Sequence, residues 1–375
     1  MVVGAAMHDA RAIGISLGLC LLLSIVFSAP VEINSIRNVS GQLTQAEWTT
    51  WATRAWTYFQ PGVGVSSATG LNHAGYTYHY LTNWDIATYI FSILDAERLG
   101  IVSKTGTWGS TDRLDKIRNW LLTRQLTNGL AYAWYDADTG LPSSSSETNV
   151  PDCGGFLVAL FVWKTRRPEY GQSIYDVIAR ENVGITRLAS TQSYWGSVSG
   201  AFKWYAAQGF RLFGYGSYAP VQSGIARLQQ MMDSPGDQQV YDVVSGIYLP
   251  KNEITSEPLL LAALHLSTEI MNMTGIYGLA MKAYIAQENR FKATGKYTAF
   301  SEGNTALPSP DDYVYEWIAT SNGTTWIIMR AGGGLSSIVP IAYIKVAFGF
   351  QALYGTKYTK DAINYLTSFF SDWSR

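Results

Sequence analysis

Cysteine is scarce in this chain, with two in 375 residues. Cys20 lies in an apolar N-terminal run, so removal of that run leaves Cys153 alone and no intrachain disulfide is possible. Histidine is almost as rare, at four residues, and neither a His-Glu-x-x-His motif nor a cysteine pair supplies donors for a catalytic zinc. Charged residues make up 15% of the chain, the formal net charge is -1 and no Lys/Arg cluster occurs. Nucleic acid is therefore not an expected partner. A Gly-x-Ser-x-Gly elbow and a phosphate loop are both missing, since no Lys-Ser/Thr follows Gly332-Gly333-Gly334. With no Pro/Ser-rich linker, low-complexity tract or fixed-period repeat, residues 29–375 read as one large domain needing neither metal nor cofactor.

Aromatic side chains are plentiful by contrast: 14% of residues, including 13 Trp and 24 Tyr. A helical core accounts for about half of them, and the rest suit half-exposed surfaces that stack on ligands. At the N-terminus Arg11 precedes an apolar run from Ile13 to Phe27, with Val26-Phe27-Ser28 before Ala29. Residues 1–28 thus read as an export signal, either cleaved or kept as a membrane anchor through residues 13–27. Asn38, Asn272 and Asn322 each open a glycosylation sequon and agree with a secreted or cell-surface protein.

Helical periodicity dominates the remainder. Ile86, Tyr89, Ile90, Ile93 and Leu94 keep the 3.6-residue rhythm between a Thr82/Asn83 cap and Gly100. Similar segments cover 45–59, 111–127, 153–165, 172–190, 199–213, 222–233, 257–271, 275–294, 340–354 and 359–371, as expected for an all-α chain closed into a ring. Tyr241 to Tyr248 reads as a hairpin and Thr298 to Phe300 as a short extended piece. Val314 to Ile318 and Thr324 to Met329 flank the turn signal Asn322-Gly323.

Glycosidic cleavage needs two carboxyl groups, one protonated and one ionised. Asp136 follows Trp134-Tyr135 on a turn beside a stacking platform, and is the expected general acid; the competing reading is a purely structural turn aspartate. Asp136, Asp138 and Gly140 spell part of a calcium loop, but its closing Glu is missing. Asp85, Asp152 and Glu257 stand in first helical turns, where a cap explains them equally well. Glu302 has no helix to cap. Glu316 falls on the opposite face of its strand from Tyr313, Tyr315 and Trp317. The candidate pair is Asp136 as acid with Glu302 or Glu257 as base, and Trp84, Asp85, Trp134, Tyr135, Asp152, Tyr313 and Tyr315 are expected to bind substrate. Cys153 reads as a small packing residue.

Taken in order, Thr82-Asn83-Trp84-Asp85-Ile86-Ala87, Trp134-Tyr135-Asp136 with Asn149-Val150-Pro151-Asp152, Thr255-Ser256-Glu257-Pro258, Thr298 to Glu302 and Lys345 to Tyr354 resemble the exported prokaryotic domain of unknown function 3131 family across nearly all of residues 29–375. The first half is similar, more distantly, to the glucoamylase-like domains of β-1,2-glucanases and cyclic β-glucan synthases. That similarity implies an (α/α)6 toroid with short β-hairpins on its rim, and a central glycan cleft lined by Asp136 and Asp152. Cys153-Gly154-Gly155 departs from the synthase pattern. The expected protein is an exported glycoside hydrolase of a β-glucan-like polysaccharide or oligosaccharide. A catalytically silent carbohydrate-binding or structural envelope protein is the alternative, and a lyase is disfavoured for want of a cationic cleft.

Overall fold

The computed structural model describes residues 41–75, 77–266, 274–304, 313–330, 334 and 342–368. Residues 1–28, expected as an export signal, and Asn38 and Asn272 lie outside them. Helices of two kinds alternate along the chain. One set, α1 (Gln45–Trp56), α3 (Ser110–Thr123), α5 (Gly171–Ser190), α7 (Ala219–Met232), α9 (Thr274–Thr294) and α11 (Lys357–Thr367), keeps a solvent-exposed face. The other set, α2 (Asn83–Arg98), α4 (Val150–Arg166), α6 (Gly200–Leu212), α8 (Glu257–Leu261) and α10 (Ile344–Tyr354), is buried round most of its circumference. All-round burial requires neighbours on every side, so this set forms the inner ring.

The packing agrees. Each inner helix contacts the next, from α2 through α4, α6 and α8 to α10, and α3, α5, α7 and α9 contact one another in the same order outside. Trp48 and Trp51 of α1 pack on Phe348 of α10 while α1 also touches α2, which closes the ring. The architecture is that of an (α/α)6 toroid. Where α4 crosses α6 the backbones nearly touch: a Cβ on Gly154 would come 2.4 Å from Ala206, and one on Gly209 would come 2.0 Å from the Gly154 carbonyl oxygen. Among the described residues no helix is long and apolar enough to cross a membrane.

Short strands occupy the rim. β1 (Tyr80–Leu81) pairs with β4 (Tyr135–Asp136), β2 (Leu126–Thr127) with β3 (Leu130–Ala131), and β5 (Gln239–Asp242) with β6 (Ile247–Pro250), all antiparallel. β7 (Glu302–Asn304), β8 (Tyr313–Ala319) and β9 (Thr325–Arg330) form an antiparallel sheet in that order, with Asn322-Gly323 turning the β8–β9 hairpin. Some boundaries differ from expectation. The helix expected over 111–127 stops at Thr123, because Asn128 (φ 49°) and Gly129 (φ 76°) form a left-handed hairpin turn that draws Leu126 and Thr127 into β2. The helix expected over 257–271 is α-helical only to Leu261 and continues as a π turn over Ala262–Leu266. Thr298 to Phe300 contributes a single bridge, Ala299 to Ala342, and the strand begins at Glu302.

Candidate active site

Asp85, Asp152 and Glu257 occupy the first turns of α2, α4 and α8, three helices of the inner ring. Thr82 caps α2: Asp85 Oδ2 accepts from the Thr82 backbone N–H at 2.9 Å and its hydroxyl at 3.0 Å, completing a reciprocal box. Asn149 caps α4 by accepting the Asp152 N–H at 2.9 Å, and Pro151 fits the first turn because its missing N–H needs no partner there. Arg124, buried, holds the start of α2 from outside, donating to Asn83 Oδ1 at 2.9 Å and to Glu181 Oε1 at 2.6 and 3.1 Å.

These carboxyls act on one another. Burial and then the Glu257 charge act to raise Asp85, whose pKa rises to about 6 despite its Thr82 bonds. Burial and then Asp85 push Asp152 up to about 7. On β7, burial, then Glu257, and also Asp152 push Glu302 up to about 8, against the opposing pull of Lys345 and a hydrogen bond to Tyr313. Four acids from four elements therefore share one site. Solvent touches Asp152 and Glu302, whereas Asp85 (8% exposed) and Glu257 (0%) lie beneath them.

Glu257 is held in a buried ion pair. Its Oε2 meets the buried Lys345 Nζ and accepts the Ser301 hydroxyl at 2.9 Å, while its Oε1 is buried with no hydrogen-bond partner. Lys345 Nζ also donates to the Glu302 backbone carbonyl at 3.0 Å, tying α10 to β7. Aromatic rings wall the group. Tyr313, Tyr315 and Trp317 stand in a row on one face of β8, with ring centroids 5.5 and 5.6 Å apart and the last two nearly parallel at 5°. Glu316 takes the opposite face, wholly buried, as alternation requires. Trp84 packs against Phe202 and Tyr205 of α6 and fills the space at Gly155, where a Cβ would come 2.9 Å from the indole. Tyr205 meets His265 Nδ1 at 3.3 Å, and burial lowers that histidine to about 3, so its ring is neutral.

Asp136 and Tyr135 stand on β4, paired with β1. Asp136 Oδ1 accepts the Thr139 N–H at 2.8 Å and the Thr139 hydroxyl at 3.0 Å, the turn role that competed with catalysis in the sequence. It is not among the charges that shift Asp85, Asp152 or Glu302. Tyr135 offers no platform: it is fully buried, and its hydroxyl donates to the Gln125 carbonyl at 2.6 Å. Trp134 is half-buried and meets Tyr78 edge-on at 5.5 Å. Cys153 is buried and its thiol pKa is raised, as for a packing residue. Asn322 is exposed on the β8–β9 turn, with its Oδ1 bonded to Thr320 and Thr324.

Sequence reasoning missed Lys345 as a site residue, together with Ser301, Tyr205 and His265. Lys345 left a signal: a lone cation in the otherwise apolar opening of Ile344-Lys345-Val346-Ala347-Phe348 demands a buried anion.

A family model described as "Protein of unknown function (DUF3131)" matches residues 50–372. The chain belongs to this family. A search of curated proteins gives no sequence match. Solved structures of similar fold include a putative glucoamylase from Bacteroides fragilis NCTC 9343 (14% identity, 77% of this chain and 78% of that one, TM-score 0.47). An endo-β-1,2-glucanase from Chitinophaga pinensis is similar at 14% identity, over 80% of each chain, with a TM-score of 0.46. A cellobiose 2-epimerase from Spirochaeta thermophila DSM 6192 is similar at 11% identity, over 95% of this chain and 88% of that one, with a TM-score of 0.46.

Proposed function

We propose that this family member is an exported glycoside hydrolase acting on a β-glucan-like polysaccharide, with Glu302 as general acid and Asp152 as general base. The observation that carries the reading is the pairing of two solvent-touched carboxyls, each backed by a buried one: Glu257 behind Glu302 and Asp85 behind Asp152. A carboxyl pushed upward by burial and a neighbouring negative charge keeps its proton near neutrality. Glu302 is shifted further than Asp152, so on raising the pH Asp152 ionises first and Glu302 retains the proton to deliver to a leaving oxygen.

This assignment moves the acid from Asp136, whose Oδ1 is taken up by its own turn. Glu257 keeps a supporting role as the charge that holds the proton on Glu302. Glu302 pairs with Tyr315 across β7 and β8, so the part-exposed rings of Tyr313 and Tyr315 flank it and offer a sugar an apolar surface, with the buried Trp317 stacked behind Tyr315. Export by residues 1–28 delivers the enzyme to an extracytoplasmic glycan.

Incubation of the purified protein with a panel of β-glucans, with reducing ends as readout, tests the proposal. Hydrolysis by the parent and its loss in Glu302→Gln are the expected results. A parent that is inert across the panel yet retards glycan in affinity electrophoresis would replace the hydrolase with the silent binder.

A further inference from the structure

Two of the chain's four histidines meet a carboxylate far from them in sequence. His73 Nε2 lies 3.3 Å from Asp138 Oδ1, and His79 Nδ1 lies 2.8 Å from Asp138 Oδ2. One donor atom from each residue can be chosen so that all three lie within 4.8 Å of one another. Tetrahedral zinc, with bonds of about 2.0–2.1 Å, places its donors about 3.3 Å apart. Two neutral imidazoles and one carboxylate form a donor set suited to divalent first-row metals.

An orphaned buried atom points the same way. His73 is 3% exposed, and its Nδ1 is buried with no hydrogen-bond partner. When Nε2–H donates to Asp138, that Nδ1 is a bare acceptor in a dry place, which is unfavourable. Giving Nε2 to a cation moves the ring proton to Nδ1, where it can turn to the Val63 backbone, a group the charged ring can reach. A second hydrogen bond of that kind is the usual support of a metal-bound histidine. Ser66, also buried, bonds to Asp138. An open cleft of about 520 Å³, lined by Gly62, Ser66, Thr77 and the three donors, provides an entry path and room for further water ligands.

We propose that His73, His79 and Asp138 bind one divalent cation of the zinc class. This revises the expectation of a chain without a metal. The two rings stack at 4.0 Å with a 13° tilt, so one ion cannot lie in both ring planes, and His79 turns on binding while His73 stays fixed. His79 has the freedom to do so, being about half exposed. The ion would pin the segment before β1 to the turn after β4, and so brace the pair of strands that leads into the Thr82 cap of α2.

The test uses the whole protein after chelator treatment, titrated with Zn2+ by calorimetry and with Co2+ by visible absorption. The expected result is one ion per chain with the absorption of a nitrogen-and-oxygen site. His79→Ala and Asp138→Asn, both at exposed side chains, should lower the affinity by about 10- to 100-fold or more. A parent that binds neither ion overturns the proposal. So does a parent bound no more tightly than His79→Ala, since the ion would then sit elsewhere.

Discussion

Two groups of polar side chains are built in opposite ways. Asp85, Asp152, Glu257 and Glu302 are drawn together in protein-lined space, and the three that shift do so upward through burial and each other's charge. Asp136, Asp138, His73 and His79 stand at an open cleft and turn, where Asp138 is pulled below the ordinary carboxylate range by its bonds to His79, Ser66 and His73. Tyr135 flanks Asp136 in sequence but turns into the core, whereas Glu302 is raised by burial and then by the charge of Glu257, a residue 45 positions away that only the fold brings near.

The largest effect that separates the two groups concerns turnover. Glu302→Gln and Asp152→Asn should each lower β-glucan hydrolysis by about 10² to 10⁴ with the fold intact, while Asp136→Asn stays within a few-fold of the parent. Initial rates alongside circular dichroism decide this.

Next in size is stability. Lys345→Met leaves the Glu257 charge buried and unpaired, and should destabilise by about 3–5 kcal/mol in denaturant titration; adding Glu257→Gln should recover most of that loss.

Dependence on pH gives a smaller, signed effect. Unfolded carboxyls titrate near pH 4, and in the folded chain Asp85, Asp152 and Glu302 titrate near about 6, 7 and 8. Between those values the folded protein holds more protons than the unfolded one, so stability contributed by these groups falls as pH rises from about 4 to about 8, and levels off above. Glu302→Gln should therefore raise Tm relative to the parent at pH 8.5 and leave it near the parent at pH 5. The gain is on the order of 1–2 kcal/mol, since water that touches the group screens part of the shift.

The smallest effect concerns binding. Tyr315→Ala removes the middle ring of the β8 row and should weaken oligosaccharide binding by about 0.5–1.5 kcal/mol, with Trp134→Ala changing it less.

Much of this was legible in the sequence, for physical reasons. The 3.6-residue rhythm identified the helices because a ring of packed helices must bury one stripe or the whole surface of each. Asp85, Asp152 and Glu257 were visible as first-turn acids, but a cap and a site residue look alike until the inner ring brings their helix starts together. Glu302 stood out because no helix start accounted for it. The Asn128-Gly129 turn was present in the sequence and was outweighed by the helical rhythm running into it. Lys345, His73 and His79 needed the fold, since their partners lie 88, 65 and 59 residues away.

The account rests most directly on a proton held by Glu302 at neutral pH. Infrared difference spectroscopy of the carboxyl C=O stretch at pH 7 reads that proton. A protonated-carboxyl band should be present in the parent and in Asp136→Asn, and should be weakened in Glu302→Gln, the remainder belonging to Asp152. A spectrum with no such band in the parent, or with the band unchanged in Glu302→Gln, would contradict the assignment.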